Sequence, residues 1–376
     1  MRSIFLKDMA YRRARVILTA IGITVLVALI LALGGIMNGM RIQSRQFVES
    51  TKANIWISAE GSGGAFIGFS LLIQEYMEPL RIAPELKPES AAPLIFAQAR
   101  PVIHGKSSKA IVVGYQRGKF GGPKHVLEGR MFTGSKYDTY SPMSTAPLEV
   151  VIDERMPLEI GEQITIGGEN LKVVGKAKSL MFVLDTPLIF MDVRIAQKVL
   201  LGDYPRVNMV IAKSADGLSP EEAAKQLEER TRVDVRTLKQ TLDDITEVYV
   251  DEPMKAVTFL RVMLWLASGI LVTMITYVTT LEKTQEIGVL KAIGASNGYV
   301  MALILKQVAL TSAIGVTCGV ILSYVFAAAA PIFVKIDSIE SLIVAGISFL
   351  VCCASGYFAA RKAITVDPMV AFRGEI

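Results

Sequence analysis

EKTQEIGVLKAIGAS, residues Glu282 to Ser296, decides how this chain is organised. Before it runs VMLWLASGILVTMITYVTTL (Val262 to Leu281), and after it an uncharged stretch from Gln307 to Val334 that begins QVALTSAIGVTCGVILSYVF. Each flank reaches the roughly 20 residues that a helix needs to cross about 30 Å of hydrocarbon. The quoted stretch is therefore a short loop between two membrane spans. Such loops are ordinarily polar and unpatterned, yet this one reads as a helix. Ile287, Leu290 and Ile293 share one apolar face with Val289 beside it, while Glu282, Lys283, Glu286 and Lys291 take the more polar sides. Gly288 and Gly294 would each weaken a helix by roughly 1 kcal/mol relative to alanine, which implies that something approaches the backbone closely. We expect a docking helix over Glu286 to Ala295 that seats in a groove of a cytosolic protein through Glu286, Ile287, Gly288, Leu290, Lys291, Ile293, Gly294 and Ala295. The alternative is an interfacial helix lying on the bilayer with no partner.

Two more charge-free runs complete the set, Val16 to Met37 and Ser341 to Ala360. The chain has 376 residues, 52% of them hydrophobic and 20% charged, with a mean hydropathy of +0.44. That balance fits a few spans plus one sizeable water-exposed domain. The first run is too long for the apolar core of a signal peptide, and NGMRIQ after it offers no cleavage site, so it reads as an uncleaved anchor. Arg2, Lys7, Arg12, Arg13 and Arg15 precede it, and Arg361 and Lys362 follow the last run, which places both termini and the quoted loop in the cytosol. The net charge of +5 belongs to such flanks rather than to nucleic-acid binding. Lys306, at the edge of the third span, is expected to snorkel.

The expected fold class is an α-helical membrane protein with four transmembrane helices and a large α+β extracytoplasmic domain between spans one and two. The expected boundaries are a cytosolic amphipathic helix at 1–15 and spans at 16–40, 256–281, 301–334 and 341–360. The outer domain with its stalk takes 41–255, the docking loop 282–300, an external loop 335–340, and a cytosolic tail 361–376. Gly35 and Gly39, like Gly315 and Gly319, match the small-xxx-small spacing of close helix packing, either between spans or at a dimer face.

Within the outer domain, ANIWIS and KAIVVGYQ have strand composition, and EQITIGGENLKVVG reads as a hairpin turning at Gly167-Gly168. LSPEEAAKQLEER places Ser219 as N-cap and Pro220 at the first helical position. RVNMVIAK, that helix and VDVRT form a strand–helix–strand unit. A last helix from about Leu238 should kink at Pro253 before feeding the second span. EGSGGAFIGFS (Glu60 to Ser70) reads as a surface turn, with a mobile loop touching apolar cargo as the alternative.

Catalytic signals are missing. HGKSS (His104 to Ser108) has Arg100 where a phosphate loop needs its first glycine, and RGKFG (Arg117 to Gly121) has Phe120 after the lysine. His104 and His125 are the sole histidines, and Cys318, Cys352 and Cys353 all fall in apolar runs, so neither a His/Cys metal site nor a disulfide in the outer domain is expected. No GxSxG elbow occurs. The acids Asp243-Asp244 and Asp251-Glu252 read as a solvated helix face. The chain is not expected to be an enzyme.

The loop EKTQEIGVLKAIGAS resembles the E-I-G-x-L-[KR]-A-x-G-A-S signature of FtsX-like permeases, the MacB-type membrane subunits of ABC transporters. ARKAITVDPMVAFR (Ala360 to Arg373) resembles their closing motif, and IVVGYQRGKFGGPKHVLEGRMF with VVIDERMPLEIGEQITIGGENLKVVG resembles their outer-domain passage. Two departures stand out: Glu162 where aspartate is commoner, and Met131-Phe132 where polar residues usually follow Gly-Arg. The resemblance implies an inner-membrane subunit that works beside a separate ABC-type ATPase, which would carry the ATP and Mg while this chain binds no cofactor. It implies a second copy or a paralogous permease as partner, a periplasmic adaptor as a further candidate, membrane lipids around the spans, and no nucleic acid. It also implies that the loop helix is a coupling helix and that motion passes up the second span to the outer domain. The cargo class would be hydrophobic or amphipathic: lipid, heme, lipopeptide or antibiotic. The alternative within the resemblance is a non-transporting mechanotransmitter that regulates an extracytoplasmic hydrolase or sensor.

Overall fold

Charge-free runs this long leave a helix as the structure that satisfies every backbone group within one segment. The computed structural model describes residues 13–73, 77–134, 147–178, 186–202, 204–330 and 332–364, so the basic N-terminal stretch to Arg12 and the tail motif beyond Ile364 lie outside the described residues. Among the described residues, four helical stretches are long and apolar enough to cross a membrane: Val16–Ser50, Leu238–Glu282, Asn297–Ala329 and Ser338–Lys362. The chain divides into two compact units, one of residues 1–39 with 253–376, the other Met40–Glu252.

Helix α1 (Arg13–Ser50) continues past residue 40, because RIQSRQFVES contains no glycine or proline to stop it. It ends where Lys52 turns left-handed at φ 60°. Within the second unit, twelve strands of the described residues form one sheet. They are β1 (Ile55–Ala59), β3 (Ala92–Ala99), β4 (Val102–Ile103), β5 (Lys106–Ser107), β6 (Ala110–Tyr115), β7 (Val126–Gly129), β8 (Glu149–Asp153), β9 (Gln163–Ile166), β10 (Glu169–Ala177), β11 (Leu188–Asp192), β13 (Met209–Ala212) and β14 (Val233–Thr237). The order is β14-β1-β13-β3-β6-β11-β8-β10-β9-β4-β5, with β7 beside β10, and β2 (Leu72–Ile73) pairs β12 (Arg206–Val207) in a separate ribbon. Pairing is antiparallel except β6 with β11 and β8 with β10. The expected hairpin at Gly167-Gly168 joins β9 to β10, pairing Glu169 with Ile166.

Central strands read as unbroken apolar runs because both sheet faces are covered. Ile55, Ile57, Val112, Val150, Ile152, Ile189 and Met191 enter one core, with Val193, Ile195 and Val199 of α3 (Val193–Leu201) and Ala223 and Leu227 of α4 (Pro220–Arg230). The alternate residues Trp56, Val113, Val151 and Phe190 enter the other, with Phe47 and Val48 of α1 and Leu242 and Ile245 of α5 (Leu238–Thr246). α2 (Met77–Arg81) buries Met77 and Leu80 in the first core. Ser219 caps α4 through a full capping box, with Pro220 in the first turn.

The strand–helix–strand unit is looser than expected: β1 lies between β13 and β14, so its two strands are not neighbours. The glycine-rich segment is pinned rather than free. Phe66 is buried between Phe47 and Phe96, with ring centroids 6.1 and 5.1 Å away, and the Tyr249 hydroxyl donates to the Phe66 carbonyl at 2.8 Å. Of the paired acids, Asp244 meets Arg236 at 3.2 Å and Asp251 meets Arg41 at 3.0 Å.

At Pro253 the expected kink is a π-helical turn, Glu247–Asp251, followed directly by α6 (Glu252–Glu282). Proline has no N–H for the carbonyl four residues back, and the wider turn relieves the ring's clash with it. In the first unit, α6, α8 (Asn297–Ala329) and α9 (Ser338–Ile364) assemble with α1. Small residues set the close approaches: a Cβ on Gly315 would lie 2.8 Å from Ile23 Cβ, one on Gly319 2.8 Å from Val27 Cβ, and one on Gly269 2.8 Å from Ser355 Oγ.

Candidate functional site

Lys283 breaks the helix after α6, and α7 (Thr284–Ala292) restarts at once, with the Ile287 N–H donating to the Lys283 carbonyl at 2.8 Å. The end of α7 overturns part of the sequence reading. Ala292 is its last residue, and Gly294 lies beyond it at φ +96°. The Gly294 N–H donates to the Lys291 carbonyl at 3.0 Å and the Ala295 N–H to the Leu290 carbonyl at 2.9 Å. Those two bonds define a Schellman cap, in which the left-handed residue is glycine because a Cβ is disfavoured there. A Cβ on Gly294 would meet nothing within 4 Å, so the glycine serves its own backbone rather than a close neighbour in this chain. Ser296 then caps α8, its Oγ accepting from the Tyr299 N–H at 3.2 Å. Gly-Ala-Ser is thus the joint between two helices: left-handed cap, short spacer, N-cap.

This joint fixes how α7 presents its side chains. No residue of α7 is fully buried. Ile287, Gly288, Leu290, Lys291 and Ala295 are half-buried, and Glu286 and Gly294 are exposed. Val289 is 57% exposed and Ile293 77%. The expected apolar face therefore splits, because Ile293 belongs to the cap and not to the helix. The surface combines two bare aliphatic side chains with acidic and basic groups, a mixture suited to a protein groove. Among the described residues no group of His, Cys, Asp and Glu could hold a metal.

The four glycines assigned to helix packing are occupied inside the chain. Gly315 and Gly319 receive Ile23 and Val27 of α1, and the Thr24 hydroxyl donates to the Gly315 carbonyl at 3.0 Å. A Cβ on Gly35 would lie 2.7 Å from Val334 Cγ1, and the Gly35 carbonyl accepts from the Lys335 N–H at 2.8 Å. A Cβ on Gly39 would strike the Phe333 carbonyl. They pack spans and the external loop, and do not form one outward face for a second copy.

One charged constellation escaped the sequence reading. Gly129, at φ +75°, turns the chain so that Arg130 grips Glu149 with two bonds, at 3.0 and 2.5 Å, while the Thr133 N–H donates to the same carboxylate at 2.8 Å. The Arg130 hydrogen bond, reinforced by Thr133, holds the Glu149 carboxyl down at about 2. Phe132 beside them is buried against Tyr115, with centroids 5.3 Å apart, which is why an apolar residue stands after Gly-Arg here. Glu162 accepts from the Glu159 N–H at 2.6 Å and sits 3.2 Å from His104 Nε2; that backbone bond leads in lowering its carboxyl from the ordinary value. The Gly-Arg pair within LEGRMF was the available signal.

Comparison with known proteins agrees with this architecture. The MacB-like periplasmic core domain model matches residues 16–230, and the FtsX-like permease C-terminal model matches residues 258–368. An uncharacterized ABC transporter permease of Mycobacterium tuberculosis is 25% identical over 380 residues, covering 98% of each chain. The macrolide export ATP-binding/permease protein MacB of Escherichia coli is 24% identical over 407 residues, which cover 98% of this chain and 60% of that protein. The periplasmic region of MacB from Actinobacillus actinomycetemcomitans aligns with 53% of this chain and 94% of its own, at 13% identity and a TM-score of 0.37. With one family model on the outer domain and the other on the spans that flank α7, the chain belongs to the MacB/FtsX-type family of ABC transporter permeases.

Proposed function

We propose that this permease couples ATP hydrolysis in a separate ABC-type ATPase to motion of its outer domain, and that the motion exports or extracts a hydrophobic or amphipathic cargo. The carrying observation is α7, a helix closed by a glycine cap at its C-terminal end that leaves Val289, and Ile293 at the cap, exposed. A short helix end that exposes aliphatic side chains beside charged ones fits a groove in a partner protein. In this reading ATP and Mg reside on the ATPase, and α7, on the cytosolic side of the inner membrane, delivers its closure to α6. A second copy of the chain or a paralogue completes the membrane part. The hydroxyls within the spans support mechanical coupling rather than a polar conduit, since those of Thr24, Ser268 and Thr273 meet other helices.

The test is gentle purification of the tagged chain from its native host, with mass spectrometry of what accompanies it. An ABC-type ATPase should co-purify with the native chain and be lost from a variant carrying Val289→Glu and Ile293→Glu, which leaves Gly294 and Ser296 in place. Equal recovery from both chains removes α7 as the docking element. Absence of any ATPase overturns the coupling reading.

A further inference from the structure

The second and fourth helical spans run in the same direction and are joined by a ladder of polar side chains. From the outer end inward, Arg261 Nη2 donates to Glu340 Oε1 at 2.5 Å, Trp265 Nε1 donates to Ser348 Oγ at 3.1 Å, Ser268 Oγ meets Cys352 Sγ at 3.6 Å, and Thr273 Oγ1 donates to the Ser355 carbonyl at 3.4 Å. The first three rungs, Arg261, Trp265 and Ser268, follow the helical repeat and lie along one stripe of α6, with Thr273 to one side of it. The first rung differs from the rest because it is an ion pair whose side chains are only 13% and 22% exposed. The second Glu340 oxygen accepts from Asn38 Nδ2 of α1 at 2.8 Å, so one carboxylate ties three helices together.

Three features mark this rung as a releasable contact and not a permanent staple. Fixed buried pairs persist when their hydrogen-bonding capacity is filled. Here Arg261 Nε is buried with no partner. The outer ends of α1 and α9 are joined independently, through the external loop that donates the Lys335 N–H to the Gly35 carbonyl and lays Phe333 on Gly39. Arg261 thus anchors α6 to a pair already assembled. Finally, Gly34 opens the space that the guanidinium occupies: a Cβ there would fall 1.5 Å from Arg261 Nη2 and 2.3 Å from Glu340 Oε1. A charged contact in a glycine niche is lost as soon as α6 shifts along its axis, whereas aliphatic packing slides by degrees.

We infer that Arg261, Glu340 and Asn38 form a latch that holds the outer end of α6 in its resting register and opens when α6 moves. This rests on the reading of α6 as the transmitting element, but its test needs no ATPase, so the two can fail separately. Trp265 reports on the rung below the latch. The chain has two tryptophans, and Trp56 is fully buried in a core of the outer domain. In the full-length chain, reconstituted in nanodiscs of brominated phosphatidylcholine, lipid quenching therefore reads Trp265. Glu340→Gln and Arg261→Gln should each raise the quenched fraction by about twofold, as expected when a minor released state becomes the main one. The exchange Arg261→Glu with Glu340→Arg should return quenching toward the native value, and Asn38→Leu, which keeps the ion pair, should fall between. Thermal melting identifies variants that have merely unfolded. Unchanged quenching in both folded single variants overturns the latch, as does failure of the folded exchange variant to restore it.

Discussion

Gly288 and Gly294 stand six residues apart in the same loop, yet the structure gives them opposite responses to one substitution. Gly294→Ala forces alanine to φ +96°, beyond the left-handed range of roughly +50 to +70° that other residues visit. The penalty for a Cβ in that region is roughly 1–2 kcal/mol. No steric contribution adds to it, because the new Cβ would have open space within 4 Å. The Schellman bonds from the 294 and 295 N–H groups to Lys291 and Leu290 should then open more often, and hydrogen exchange at these amides should quicken by about 5- to 30-fold. Gly294→Asn should show about half that loss in free energy, since asparagine tolerates left-handed backbone. Gly288→Ala lies inside α7 and should slow exchange there by about fivefold, alanine being the better helix former by about 1 kcal/mol. Exchange mass spectrometry on the full chain in detergent measures all three. Equal exchange in the Gly294→Ala and native chains would refute the capping argument. A Gly288→Ala chain that exchanges more slowly but loses its co-purifying ATPase would show that a partner needs the bare backbone.

The outer domain should lose stability in acid through Glu149. Its carboxyl is lowered from 4.5 to about 2, so its contribution is fully present above about pH 5 and is lost as pH falls toward 2. Acid unfolding followed by Trp56 emission should show this step in the native chain and not in Glu149→Gln. Phe66→Ala should destabilise the outer domain by about 3 kcal/mol, roughly 10 °C in melting temperature, because it empties the site between Phe47 and Phe96. Phe69→Ser, at a side chain 84% exposed, should stay within about 0.5 kcal/mol, as calorimetry would resolve. Gly315→Val should separate α1 from α8 and destabilise the spans by about 1–3 kcal/mol, whereas Gly346→Ala, with open space around its Cβ, should leave melting in detergent unchanged.

The spans were legible because hydrocarbon thickness imposes a length on any apolar run. The Ser219 cap and the Gly167-Gly168 hairpin were legible because local hydrogen bonding determines both. The order of the sheet was not. β1 separates β13 from β14 through pairings across most of the outer domain, and nothing local in ANIWIS specifies them. Gly294 shows the same limit on a smaller scale. Its place in an apolar periodic run suggested a helix interior, and only the carbonyls it satisfies reveal a terminus. Gly315 and Gly319 carried a spacing that means close approach, but the partner helix, α1 of the same chain, is far away in sequence. Arg130 and Glu149 are nineteen positions apart and meet through a glycine turn that periodicity does not detect.

Arg41 and Asp251, 3.0 Å apart, mark where the chain enters and leaves the outer domain. An exposed pair of this kind adds little stability. Its consequence is architectural: the domain begins and ends at one point, so it is an insertion whose removal leaves two helix ends facing each other. Such an insertion is exchangeable. A foreign domain with equally close termini, spliced between residues 41 and 251, would meet the same two chain ends, so this domain can be exchanged without redesigning the rest of the chain.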